Sequence, residues 1–88
     1  MSMPRISEFY GIVIEMYWNE HNPPHFHARY AEHHAELDIR TLGVIDGWLP
    51  TKARSLVIEW AALHQAELLS RWQDARDHKS LGRIEPLV

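Results

Sequence analysis

The chain has 88 residues, of which 45% are hydrophobic and none is cysteine. This length predicts one domain. The lack of cysteine excludes a disulfide framework, cysteine-based zinc sites and thiol catalysis, and it fits a reducing cytoplasm. The formal net charge of −3 argues against broad electrostatic binding to nucleic acid. No run approaches the ~20 apolar residues that span a bilayer, so no membrane association is expected.

The first half of the chain, residues 1–49, has the pattern of a β-rich half. Residues 10–18 alternate, with Ile12 and Ile14 on one face and Glu15 on the other, which predicts a strand. A loop rich in Asn and Pro follows. Residues 25–30 and 35–40 alternate again and predict a hairpin, and residues 44–49 predict a short fourth strand.

Apolar residues set the expected register of this hairpin. A tight turn at 32–33 places Phe26 opposite Ile39 and His27 opposite Asp38, whereas a slip of one residue would set apolar side chains against polar ones. On a strand, His25 and His27 lie on the same face, roughly 6–7 Å apart. The polar face of the hairpin is therefore predicted to carry His25, His27, Arg29, Glu36, Asp38 and Arg40.

The second half is helical at 50–78, and an extended tail follows at 79–88. Two apolar stripes in this segment are rotated by roughly a quarter turn, which predicts a kink or a second helix near 64–66. Trp60 is expected in the core, and Trp48 and Trp72 at an interface with a homodimer mate or another protein. The predicted fold is α+β, with an antiparallel sheet of three to four strands followed by one kinked helix or two helices packed on one face.

Several segments together resemble the small bacterial family known as domain of unknown function 4160. The resemblance rests on five segments: residues 3–7, residues 21–29 with the sequence HNPPHFHAR, residues 59–64, residues 67–72 and residues 84–87. It implies a component of a toxin–antitoxin-like two-gene module that acts through a small partner protein. The family supplies no established activity, so whether the chain is an enzyme is left open.

The histidine cluster has three interpretations. In the first, His21, His25 and His27 hold a divalent transition metal ion. In the second, the chain is a small ribonuclease. His25, His27 and Asp38 perform acid–base chemistry, and Arg29 is the cation that stabilises the phosphorane. RNA would then be the partner, although the net charge of −3 does not favour RNA binding. In the third, His25 and His27 shape a surface that binds a protein partner.

Overall fold

The computed structural model describes residues 4–88 and has an α+β architecture. Five strands form one antiparallel sheet in which strands that are consecutive in the chain are also neighbours. They are β1 (Arg5–Phe9), β2 (Ile12–Glu15), β3 (His25–Tyr30), β4 (His33–Asp38) and β5 (Val44–Trp48). Two helices follow, α1 (Thr51–Leu63) and α2 (Gln65–Arg76). Neither helix within the described range is both long and apolar enough to cross a bilayer.

The expected three to four strands are too few, because the sequence pattern missed β1. The alternation at 10–18 predicts that Tyr10 and Gly11 belong to a strand, but they form a two-residue turn between β1 and β2. Their φ values of 50° and 79° lie in the left-handed region that tight hairpin turns require, and the glycine adopts it without steric cost. The segment before this turn therefore pairs with β2 as an additional strand.

The expected register of the β3–β4 hairpin is wrong by two residues. His27 lies across from Glu36, and Asp38 lies across from His25. The turn is formed by Ala31 and Glu32, one position earlier than predicted, and Ala31 has a φ of 54°. Because a shift of two residues keeps every side chain on its face, the division of the hairpin into an apolar and a polar side is preserved.

The break between the helices confirms the expected kink or second helix at 64–66. His64 separates α1 from α2, and its Nδ1 lies 2.6 Å from Oε1 of Glu67. The break lets both helices turn apolar residues inward, so that Trp60 and Leu68 are fully buried. Trp72 is only 5% exposed, because it packs inside the fold of the single chain. The expectation that it serves an interface is therefore wrong.

The core lies between the helices and the apolar face of the sheet. Phe26 and Leu37 from the sheet are fully buried, as are Val57 and Trp60 from α1. The segment after α2 packs back onto this core, where the Ile84 N–H donates to the Ile6 carbonyl at 2.7 Å. At the other edge of the sheet, Trp48 on β5 is 58% exposed, and its use by a partner protein or a homodimer stays a prediction.

Candidate metal centre

Strand β3 places two histidines on the side of the sheet opposite the core. Phe26 and Ala28 point into the apolar core, so the alternating His25 and His27 project from the other face. Both histidines are nevertheless buried, at 5% and 4% exposure. The loop between β2 and β3 accounts for part of this burial, because it folds back over them and carries Glu20 into contact with both rings.

Three ligand-type atoms converge in this cluster. Nε2 of His27 lies 2.5 Å from Oε1 of Glu20, and Nε2 of His25 lies 3.3 Å from the same oxygen. Glu20, His25 and His27 each offer one ligand atom, and these atoms all lie within 4.8 Å of one another. Glu36 approaches from β4, with Oε1 at 3.4 Å from Nε2 of His25. We call Glu20, His25, His27 and Glu36 the histidine–glutamate cluster.

The two ring nitrogens of His25 have different roles. Nδ1 lies 2.8 Å from the carbonyl oxygen of Pro23, and because a carbonyl only accepts, Nδ1 must carry the proton. In the neutral ring, Nε2 then bears a lone pair. This atom is buried and has no hydrogen-bond partner among residues 4–88, although the Glu20 and Glu36 oxygens are near it. A lone pair that faces two carboxylates requires a cation between them, either a proton or a metal ion.

His27 is held in the same way, with His34 as its second partner. Nδ1 of His27 lies 2.9 Å from Nε2 of His34, and the two rings stack with an interplanar angle of 10°. Burial, and then the neighbouring His27, lower the pKa of His34, which favours its neutral form. A neutral His34 can accept the Nδ1 proton of His27. Nε2 of His27 then offers a lone pair to the cation, a proton or a metal ion, that must lie between it and Oε1 of Glu20 at this short distance.

A partly buried ion pair supports the next part of the polar face. Nε of Arg29 donates to Oε1 of Glu15 at 2.7 Å, and the Tyr17 hydroxyl lies 3.3 Å from the same oxygen. Hydrogen bonding to Glu15 raises the pKa of Arg29, and burial raises the pKa of Tyr17, so both groups keep their protons. The Tyr17 ring packs on His27 with centroids 4.1 Å apart, which fixes the orientation of that imidazole.

Of the residues proposed for a site from the sequence, the structure brings the rings of His25 and His27 together, whereas Asp38, although it lies across from His25, and Arg29 contact other groups. His21 is exposed and lies outside the cluster. Arg29 is paired with Glu15. Asp38 accepts hydrogen bonds from the backbone N–H groups of Arg40 and Thr41 at 2.7 and 2.9 Å, so its carboxylate stabilises the turn before β5.

Sequence reasoning missed three members of this region: Glu20, Glu36 and His34. Glu36 was on the predicted polar face, and only the register error separated it from the histidines. His34 lies on β4, directly after the expected turn at 32–33, and that turn position gave no reason to place it beside His27. Glu20 gave no signal of its own, since it lies in a loop whose path depends on tertiary packing.

The fold and the site together define a small α+β protein whose meander sheet carries a buried histidine–glutamate cluster. Residues 11–73 match the family model described as domain of unknown function (DUF4160), and the chain belongs to this family. The match includes β2 to β5, α1 and the entire histidine–glutamate cluster. No curated protein and no solved structure matches the chain. The family description names no activity, so the toxin–antitoxin-like and ribonuclease interpretations stay predictions.

Proposed function

We propose that the protein binds one divalent transition metal ion through the histidine–glutamate cluster. Nε2 of His25, Nε2 of His27 and the Glu20 carboxylate would be the ligands. The observation that carries this proposal is the convergence of these atoms within 4.8 Å. Hydrogen bonds from the opposite ring nitrogens, to the Pro23 carbonyl and to His34, are the outer contacts that orient metal-binding imidazoles.

The charges in the cluster are suited to a dication. Two neutral imidazoles contribute no charge, and the carboxylates of Glu20 and Glu36 contribute two negative charges close to one another. Both carboxylates lie within 3.4 Å of Nε2 of His25, so a divalent ion there would neutralise them. Glu36 is thus available as a fourth ligand or as the acceptor for a water molecule on the metal.

The ligand types favour zinc, with iron, manganese and nickel as competitors. Two imidazoles and one carboxylate are the ligand set of several hydrolytic zinc enzymes and of non-haem iron centres. Three protein ligands leave a coordination position for water. A bound zinc ion would lower the pKa of this water, and the hydroxide so formed could attack an ester or amide. The Glu20 side chain is 25% exposed, so the cluster has a solvent-facing side. Metal-assisted hydrolysis is the reaction class that this arrangement supports.

A metal-free alternative places a proton where the metal would lie. His34 then donates to Nδ1 of His27, and Nε2 of His27 donates to Glu20. His25 and His27 would be acid–base groups of a metal-independent ribonuclease, as the sequence also allows. The two proposals differ in whether the cluster binds a metal ion, which can be measured directly.

The experiment is a calorimetric titration of the metal-free protein with Zn²⁺, repeated with Co²⁺ to follow its visible absorption. We expect one ion per chain. Glu20→Gln and His27→Gln should weaken binding by at least the roughly 10–100-fold that loss of an outer contact to a ligand costs. His21→Gln and Glu32→Gln are matched controls, because both side chains are exposed and lie outside the cluster.

Circular dichroism establishes whether each variant is folded. If His27→Gln does not fold because this side chain is buried, the comparison rests on Glu20→Gln, whose side chain is 25% exposed. Saturable binding that the controls retain and the cluster variants lose supports a metal centre. The proposal fails if the wild type binds no ion, or if His21→Gln weakens binding as much as Glu20→Gln does.

A further inference from the structure

A cavity lies beside the histidine–glutamate cluster and is lined mainly by polar groups. Its volume is about 470 Å³, and it lies between the β2–β3 loop, the turn after β4 and α2. The lining residues that matter here are Asn22, Pro24, Arg40, Trp72, Gln73 and Arg76. We call this cavity the arginine pocket. None of the functions considered so far uses it.

The charge of the arginine pocket is wholly positive among the described residues that line it. Arg40 and Arg76 are both exposed, and the pocket includes no aspartate or glutamate. Within residues 4–88, neither guanidinium makes a side-chain hydrogen bond or an ion pair. The carboxylate of Asp38, two positions before Arg40 in the sequence, accepts hydrogen bonds from the backbone N–H groups of the turn.

Two unpaired guanidinium groups that share one cavity repel each other unless an anion lies between them. Guanidinium forks match the geometry of phosphate oxygens, with two parallel N–H groups each. The side-chain amide of Asn22 adds a neutral donor in the same pocket, whereas the Gln73 amide already donates to the Asp77 carboxylate at 3.3 Å. These donors are suited to an anion with several oxygens. The net charge of −3 on the whole chain shows that this positive pocket is a local feature.

The arginine pocket and the histidine–glutamate cluster share a wall. Trp72 lines the pocket, and its ring centroid lies 5.1 Å from that of His25. Pro24 also lines the pocket and directly precedes His25 in the chain. A ligand whose anionic group occupies the pocket is therefore held next to the proposed metal ligands.

We propose that the arginine pocket binds the phosphate group of a small phosphorylated molecule. This inference extends the proposed function, since it names the substrate class of a metal centre next to the pocket. The guanidinium groups of Arg40 and Arg76 hold the phosphate oxygens, and Trp72 separates the pocket from His25. Binding of the phosphate itself requires only the arginines, so it is measurable without metal.

The test is a calorimetric titration of the full chain with phenyl phosphate, performed first without metal and then with the zinc-loaded protein. Inorganic phosphate is titrated in parallel to distinguish a free ion from an ester, and benzoate is the carboxylate probe. We expect saturable binding of phenyl phosphate that exceeds benzoate binding. The double variant Arg40→Gln/Arg76→Gln should weaken it at least tenfold.

The matched control is Lys52→Gln/Arg54→Gln, which removes the same charge from exposed positions on α1 outside the pocket. Its affinity for phenyl phosphate should change less than twofold. Equal losses in the two double variants, equal affinity for benzoate, or no saturable binding would each overturn the proposal. If inorganic phosphate binds as tightly as the ester, the ligand is the free ion and the substrate assignment is overturned.

The two proposals fail in different ways. Phenyl phosphate binding by the metal-free protein, together with a failed zinc titration, removes the metal centre and keeps the arginine pocket. Zinc binding that Arg40→Gln/Arg76→Gln retains, together with no phosphate binding, removes the pocket and keeps the metal centre.

Discussion

The ring of Trp72 on α2 packs against the ring of His25 on β3, with centroids 5.1 Å apart and an interplanar angle of 51°. This contact joins the helical half of the protein to the polar side of the sheet. It also explains why His25 is buried although it projects away from the apolar core. The helix that was expected to offer Trp72 to a partner instead uses it to cover a histidine.

Truncation of Trp72 is therefore expected to destabilise the fold. Trp72→Ala should lower the free energy of unfolding by about 3–5 kcal/mol, as for other large aromatic residues in cores. Trp48→Ala, at a side chain that is 58% exposed, is the control and should cost less than about 1 kcal/mol. Urea denaturation measures both values. If both variants lose a similarly small amount of unfolding free energy, Trp72 is not a core residue, and the interface role predicted from the sequence is supported instead.

Asp38 is expected to stabilise a turn and to have no part in chemistry. Its Oδ1 accepts two backbone N–H groups, so Asp38→Ala should cost about 1–2 kcal/mol of stability at the usual net value of a hydrogen bond. Asp38→Asn keeps an acceptor oxygen and should cost less. Both variants should bind zinc like the wild type. An Asp38→Asn protein of unchanged stability that loses a measured ribonuclease activity would instead support the acid–base interpretation.

The turn between β3 and β4 predicts a stabilising substitution. Ala31 has a φ of 54°, a left-handed conformation that costs an L-residue about 1–2 kcal/mol. Ala31→Gly removes this strain, which stabilises the fold, but it also adds conformational entropy to the unfolded chain, which opposes that gain. The expected net increase in the free energy of unfolding is up to about 1 kcal/mol. Ala62→Gly, on the exposed side of α1, should lower stability by up to about 1 kcal/mol. Opposite shifts in thermal midpoint would confirm the turn, and equal losses would contradict it.

Metal binding should also appear as thermal stabilisation. A ligand at 100 times its dissociation constant adds about 2.7 kcal/mol, which for a domain of this size raises the midpoint by more than about 10 °C. The wild type and His21→Gln should both show this rise with zinc and lose it with a chelator. Glu20→Gln should show little of it. A rise of the same size in Glu20→Gln would assign the effect to another site.

The pairing of His25 and His27 was predictable because alternation alone places them on one face. Their partners were not, because the register depends on Ala31, and alanine carries no sequence signal for a positive φ. Glu20 was equally hidden, since contacts made by a folded-back loop depend on the whole tertiary structure. The missed strand β1 did leave a signal in Gly11, because a glycine inside an alternating run indicates that the regular strand is interrupted there.

The hydrogen bond from Ile84 N–H to the Ile6 carbonyl has a consequence for folding kinetics. Each hairpin of the sheet joins strands that are consecutive in the chain, so these contacts close short loops and form early. The bond between Ile84 and Ile6 and the neighbouring contact of Arg83 with Arg5 each span 78 positions, so we expect these contacts, which close long loops, to form last. Ile84→Ala keeps this backbone bond but removes the buried side chain, 3% exposed, that packs the same segment on the core. The variant should therefore accelerate unfolding while leaving the folding rate nearly unchanged, which stopped-flow fluorescence measures. How long the native state persists would then be set by this late contact, while the speed at which it forms is set by the hairpins.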